Sequence, residues 1–92
     1  KVLVFEYING GGFAGRSVSP SLQREGMLML QTLLHELKSL PSVQCIVPLD
    51  RRCQHLDLAS TCQVIWIDDA ESLFDQLQAA IIDCDAFWPI AT

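Results

Sequence analysis

The residues able to do chemistry lie in a few short stretches. Glu6 interrupts the apolar run Val2-Leu3-Val4-Phe5-Glu6-Tyr7-Ile8. A carboxylate among apolar neighbours needs a partner or a shifted pKa. Two readings follow: a carboxylate that touches a ligand or orders the loop after it, or one satisfied by backbone N–H groups or Arg16. Asn9-Gly10-Gly11-Gly12 comes next, and glycines permit the backbone angles that close tight loops. Residues 10–15 formally match G-x-G-x-x-G, the dinucleotide fingerprint. That chemistry requires a helix to begin within the glycines and an acidic residue about 20 positions on. Pro20 puts the helix start later, and Asp50 stands 35 residues past Gly15.

The remaining reactive groups are less organised. Cys53 and His55 share one polar segment, without the third group that orients a Cys–His pair. His35 lies beside Leu34 and Glu36 and reads as a surface or boundary residue. Asp68-Asp69 suits a helix cap, with Asp68 and Glu71 spaced as in a capping box. Asp50-Arg51 could meet ribose or phosphate oxygens, but reads first as a solvated strand end. The four cysteines are separated by 8, 9 and 22 residues. Zinc sites use closer pairs, so buried reduced thiols are expected rather than a metal centre or disulfides. No nucleophile, base and oxyanion donor come together, and no catalytic residue is assigned.

The elements that must position these groups alternate. The first strand spans residues 2–8. Ser19-Pro20 opens a helix, with Ser as N-cap and Pro at the first position. Leu22, Gly26, Met29, Leu30, Leu33, Leu37 and Leu40 form its predicted apolar stripe, widened by Met27 and Leu34. Pro41 stops it. Residues 43–49 and 63–67 are strands, joined by a polar connection over 53–61. A second helix follows Asp68, with Ala70, Leu73, Phe74, Leu77, Ala80, Ile81 and Cys84 on one face. Residues 86–91 form a fourth strand, where Pro89 favours a sheet edge. This β-α-β-β-α-β order implies an α/β, Rossmann-like three-layer domain with a mainly parallel four-stranded sheet, order 3-2-1-4. Ligands of such sheets bind beyond the carboxyl ends of the strands, where the order reverses.

Composition excludes several classes. Half of the 92 residues are hydrophobic and 18% are charged, which excludes disorder. The net charge of −5, with six scattered basic residues, argues against nucleic acid as a partner. No apolar run reaches the roughly 18 residues of a membrane span, and no signal peptide is evident, so a cytoplasmic location is expected. The sequence ends just after an apolar strand. That ending leads us to expect one domain, residues 1–92, belonging to a longer chain. The apolar surface around Phe87, Trp88 and Ile90 would then be uncovered, and self-association is expected through it.

Residues 2–13, VLVFEYINGGGF, followed by Ser21-Leu22 and Glu25-Gly26-Met27-Leu28, resemble the opening of ATP-grasp carboxylate–amine ligases. Tyramine–glutamate ligases and related enzymes of one-carbon cofactor pathways are the nearest group. Their N-terminal domain runs strand–F-E-Y–glycine loop, then an S-L-x-x-E-G helix. The final Pro89-Ile90-Ala91-Thr92 also resembles a strand of that group. The resemblance implies a pre-ATP-grasp domain, inactive alone, in a ligase that activates a carboxylate with ATP and Mg²⁺ before an amine attacks. It places the ATP and metal ligands in the remainder of the chain, with no cofactor bound by this domain. It turns the glycine loop, Gly10 to Gly12, and the Glu25-Gly26 turn toward a small-molecule substrate. Glu6 and Asn9 flank that loop. Gly26 fits physically, since glycine within a helix costs about 1 kcal/mol and is kept where something approaches closely. The competing readings are a non-enzymatic α/β interaction or regulatory module, and the first half of a nucleotide- or dinucleotide-binding domain.

Overall fold

Four strands form one all-parallel sheet in a computed structural model that describes residues 1–56 and 62–90. They are β1 (Val2–Glu6), β2 (Cys45–Asp50), β3 (Gln63–Ile67) and β4 (Ala86–Ile90), in the order β3-β2-β1-β4. The helices are α1 (Pro20–Lys38) and α2 (Leu73–Ile81). Residues 57–61 of the polar connection, together with Ala91 and Thr92, lie outside the described residues.

Alternation along β1 separates two cores. Val4 faces α1 and packs with Leu30, Leu34, Leu37, Val47 and Leu49. Phe5 faces the other way, toward Ile67, Leu73 and Ala14. The helices therefore cover opposite faces, the expected three-layer arrangement. Leu30 is fully buried, which contributes about 2 kcal/mol by apolar transfer.

Both predicted helix stripes are corrected. On α1 the buried line is Gly26, Leu30, Leu34 and Leu37, whereas Leu22, Met29 and Leu40 are exposed. Leucines at steps of three and four define two adjacent stripes, and the seat beneath Gly26 selects one. On α2, Leu73 is buried and Leu77 packs beside it, but Phe74 and Ile81 face out. A 3₁₀ turn, Ala70–Ser72, precedes α2, so Ala70 lies outside the helical count. Asp69, not Asp68, caps this turn, accepting from the Ser72 N–H at 2.8 Å. Ser19 does precede α1, but its hydroxyl meets that of Ser21 instead of capping a backbone N–H.

Strand ends shape the rim. The β1–β2 ladder pairs Val2 with Cys45 and Leu3 with Ile46, then stops. Val2 N–H donates to the Gln44 carbonyl, so even-numbered residues of β2 point toward β1. Pro48 is the next of these and has no N–H to offer. β1 parts from β2 there, and the glycine loop occupies the gap. At the other side β4 is an edge strand, with Phe87 and Trp88 about half exposed. Ile90, in contrast, packs against the α1-side core. Among the described residues no helix is long and apolar enough to cross a membrane.

Candidate functional site

The chain leaves β1 through a wide turn over Ile8–Gly12, closed by the Gly12 N–H donating to the Tyr7 carbonyl at 3.0 Å. All three glycines are buried, each against a different neighbour. A β-carbon on Gly10 would fall 2.9 Å from the Phe5 ring and 3.2 Å from the Pro48 carbonyl oxygen. On Gly11 it would lie 2.6 Å from the Ile67 side chain, and the φ of +108° there already favours glycine. On Gly12 it would meet the Tyr7 ring. The loop is thus a tightly fitted lid on the carboxyl ends of β1, β2 and β3, at the same pole as Asp50 and Asp68.

Glu6 fastens this lid. Its side chain has no solvent exposure. One carboxylate oxygen accepts from the Ile8 N–H at 2.6 Å. The other accepts from the Asn9 backbone N–H and from Asn9 Nδ2, both at 2.9 Å. The carboxylate is satisfied by backbone N–H groups, with Asn9 and not Arg16 as its side-chain partner, and the same bonds order the loop. Asn9 Nδ2 also donates to the Gln23 carbonyl, binding the loop to α1. Gly26 lies directly on the carboxylate: a β-carbon there would come within 2.7 Å of its carbon. The structure therefore brings together Glu6, Asn9, Gly10, Gly11, Gly12 and Gly26, and leaves Glu25 exposed on α1.

A second fastening comes from β2, and spacing alone did not reveal it. Arg52 donates to both oxygens of Asp50 and to the carbonyls of Phe13 and Arg16. It ties the 13–16 segment to the strand end. Burial pushes the Asp50 carboxyl upward, but the hydrogen bonds and charge of Arg52 outweigh it and hold it below its ordinary value. Arg51 pairs with Asp68 and lies 5.9 Å from the centre of the Trp66 ring. These pairs border a cavity of about 430 Å³, with Gly15, Ser17 and Ile67 on its other walls. The one sequence signal was the basic pair Arg51-Arg52 directly after a strand.

Cys53 and His55 do not pair as a nucleophile and base. Cys53 is buried, and its thiol is pushed up by burial and by Asp50 nearby. His55 Nδ1 lies 3.0 Å from the Arg52 carbonyl, so it donates there instead of serving Cys53. Among the described residues no three His, Cys, Asp or Glu side chains group as a metal ion would require.

The rim does not fit a phosphate cradle either. The Gly12 N–H is turned inward, α1 starts only at Pro20, and Arg51 and Arg52 are already paired. Fold and rim together define a small αβα domain whose switch point is closed by its own glycine loop. No family model, curated protein or solved structure matches the chain.

Proposed function

We propose that this is the N-terminal, substrate-side domain of an ATP-dependent carboxylate–amine ligase of the ATP-grasp kind, inactive by itself. The observation that carries the reading is the Glu6–Asn9–Gly26 interlock. The two stretches that resemble such ligases, F-E-Y with its glycine loop and S-L-x-x-E-G, are 20 residues apart from Glu6 to Gly26. Their most distinctive members, a buried glutamate and a helical glycine, fit against each other. One shared structural role explains both motifs.

ATP and Mg²⁺ are assigned in this reading to further polypeptide. The half-exposed Phe87 and Trp88 on edge strand β4 offer that polypeptide an apolar face, or a second copy of the chain when it is uncovered. A cytoplasmic setting belongs to the same reading, because the reaction consumes ATP.

The test is phosphate release by the full-length polypeptide with Mg-ATP, across amino acids paired with primary amines. Release that requires both an acid and an amine, with one amide formed per ADP, supports the reading. ATP binding by residues 1–92 alone, or a full-length protein that releases no phosphate with any pair, overturns it.

A further inference from the structure

A separate cleft of about 510 Å³ opens on the α1 side of the sheet, between the first half of α1 and the turn after β2. Its volume lies in the range of small-molecule sites. The floor is apolar, made by Met27 from α1 and Leu56 from the opposite side, and the exposed Leu28 extends it at the rim. Three carboxamides line it as well: Asn9, Gln23 and Gln31. Asn9 is already held by Glu6 and Gln23, so its orientation is fixed.

The charge of this cleft runs against that of the whole protein. The chain carries −5, yet the lining holds Arg24, Arg52 and His55 and no carboxylate among the described residues. Those basic groups are not equivalent. The charge of Arg52 is matched by Asp50, and its donors are largely used on Asp50, Phe13 and Arg16. His55 donates through Nδ1 to the Arg52 carbonyl, which leaves Nε2 as an acceptor when the ring is neutral. Arg24 has no ion pair among the described residues. The site therefore presents one uncompensated guanidinium fork beside amides and an apolar floor. One positive charge matches a single carboxylate, and the fork geometry suits it. A phosphate chain would bring several charges against one. An anion without an apolar body would leave the floor unused.

We infer that this cleft binds a small monocarboxylate with an apolar body, its carboxylate on Arg24 and its body on Met27, Leu28 and Leu56. This assignment stands on the cleft alone. Binding without any ligase activity upholds it, and ligase activity without binding here removes it.

The experiment is an amide-shift titration of the 92-residue chain with 3-phenylpropionate, 3-phenylpropanol and inorganic phosphate. 3-Phenylpropionate is expected to shift Gln23, Met27 and Leu56 saturably. A lost charge-assisted pair corresponds to about tenfold in affinity, so the alcohol, phosphate and the Arg24→Gln variant should each be weaker by at least that factor. Leu28→Glu removes part of the apolar wall and adds a negative charge, so it should weaken both the acid and the alcohol, and the acid more. Equal binding of acid and alcohol, phosphate as strong as the acid, unchanged affinity in Arg24→Gln, or no saturable shift at these amides overturns the assignment.

Discussion

Gly26 is seated on the carboxylate of Glu6, with no room between them for even a methyl group. The contact joins the middle of α1 to the end of β1 at the spot where the glycine loop begins. Both oxygens of the carboxylate are already taken by Ile8 and Asn9, so it cannot swing aside freely. The helix position and the loop conformation are therefore one packing problem.

Gly26→Ala is expected to destabilise the protein despite alanine's better helix propensity. The propensity gain is about 1 kcal/mol. Overpacking against a fixed group costs roughly 1–3 kcal/mol. The net loss, about 1 kcal/mol, is read from urea midpoints. In a Glu6→Ala background the same substitution should cost nothing or stabilise. Equal effects in both backgrounds would separate Gly26 from Glu6.

Glu6→Gln keeps the shape but turns an amide donor toward N–H groups that need an acceptor. Hydrogen bonds to a charged group contribute about 1.5–3 kcal/mol each, so a loss of several kcal/mol is expected. Amide exchange at Ile8 and Asn9 should accelerate more than in the centre of β2. Unchanged protection at those two amides would show that the carboxylate does not hold the loop.

Gly11 and Gly15 both have positive φ, at 108° and 84°. An added β-carbon meets the Ile67 side chain at Gly11 and nothing within 4 Å at Gly15. Gly15→Ala should therefore cost only the backbone preference, about 1 kcal/mol. Gly11→Ala adds a clash with the α2-side core and should cost clearly more. Thermal unfolding of the two variants side by side decides it.

Asp50 links stability to acid. Its folded-state pKa is lowered, because the bonds from Arg52 outweigh the opposing effect of burial. A lowered carboxylate stabilises the fold above its unfolded value of about 3.9 and loses that contribution as pH falls through the folded value. Arg52→Gln should therefore be less stable than the parent at pH 7. The gap between their urea midpoints should narrow below about pH 3.9. A gap that stays constant down to pH 2 would remove the linkage.

Cys53 should resist alkylation in the folded protein. Burial pushes its thiol up, and the neighbouring Asp50 adds to the shift, so little thiolate is present near neutral pH. Iodoacetamide followed by peptide mapping should label Cys84, which is only half buried, well before Cys53. Comparable rates would mean that the turn over Arg51–Cys53 opens readily.

The alternation of apolar runs with amphipathic segments was enough to fix the class of fold, because strand and helix periods are properties of the chain itself. The order β3-β2-β1-β4 followed from the handedness of crossovers, which is equally local in origin. Glu6 and Gly26 each stood out in the sequence as residues in the wrong company. That the two are wrong in a complementary way emerged only from the folded chain, since their contact spans a loop and the turn of a helix. The same contact chose which leucines of α1 are buried, where spacing allowed two stripes. Arg52 reached Asp50, Phe13 and Arg16 for a similar reason: which arginine of an adjacent pair turns toward the 13–16 segment depends on the 3₁₀ turn that follows β2, not on the identity of either side chain.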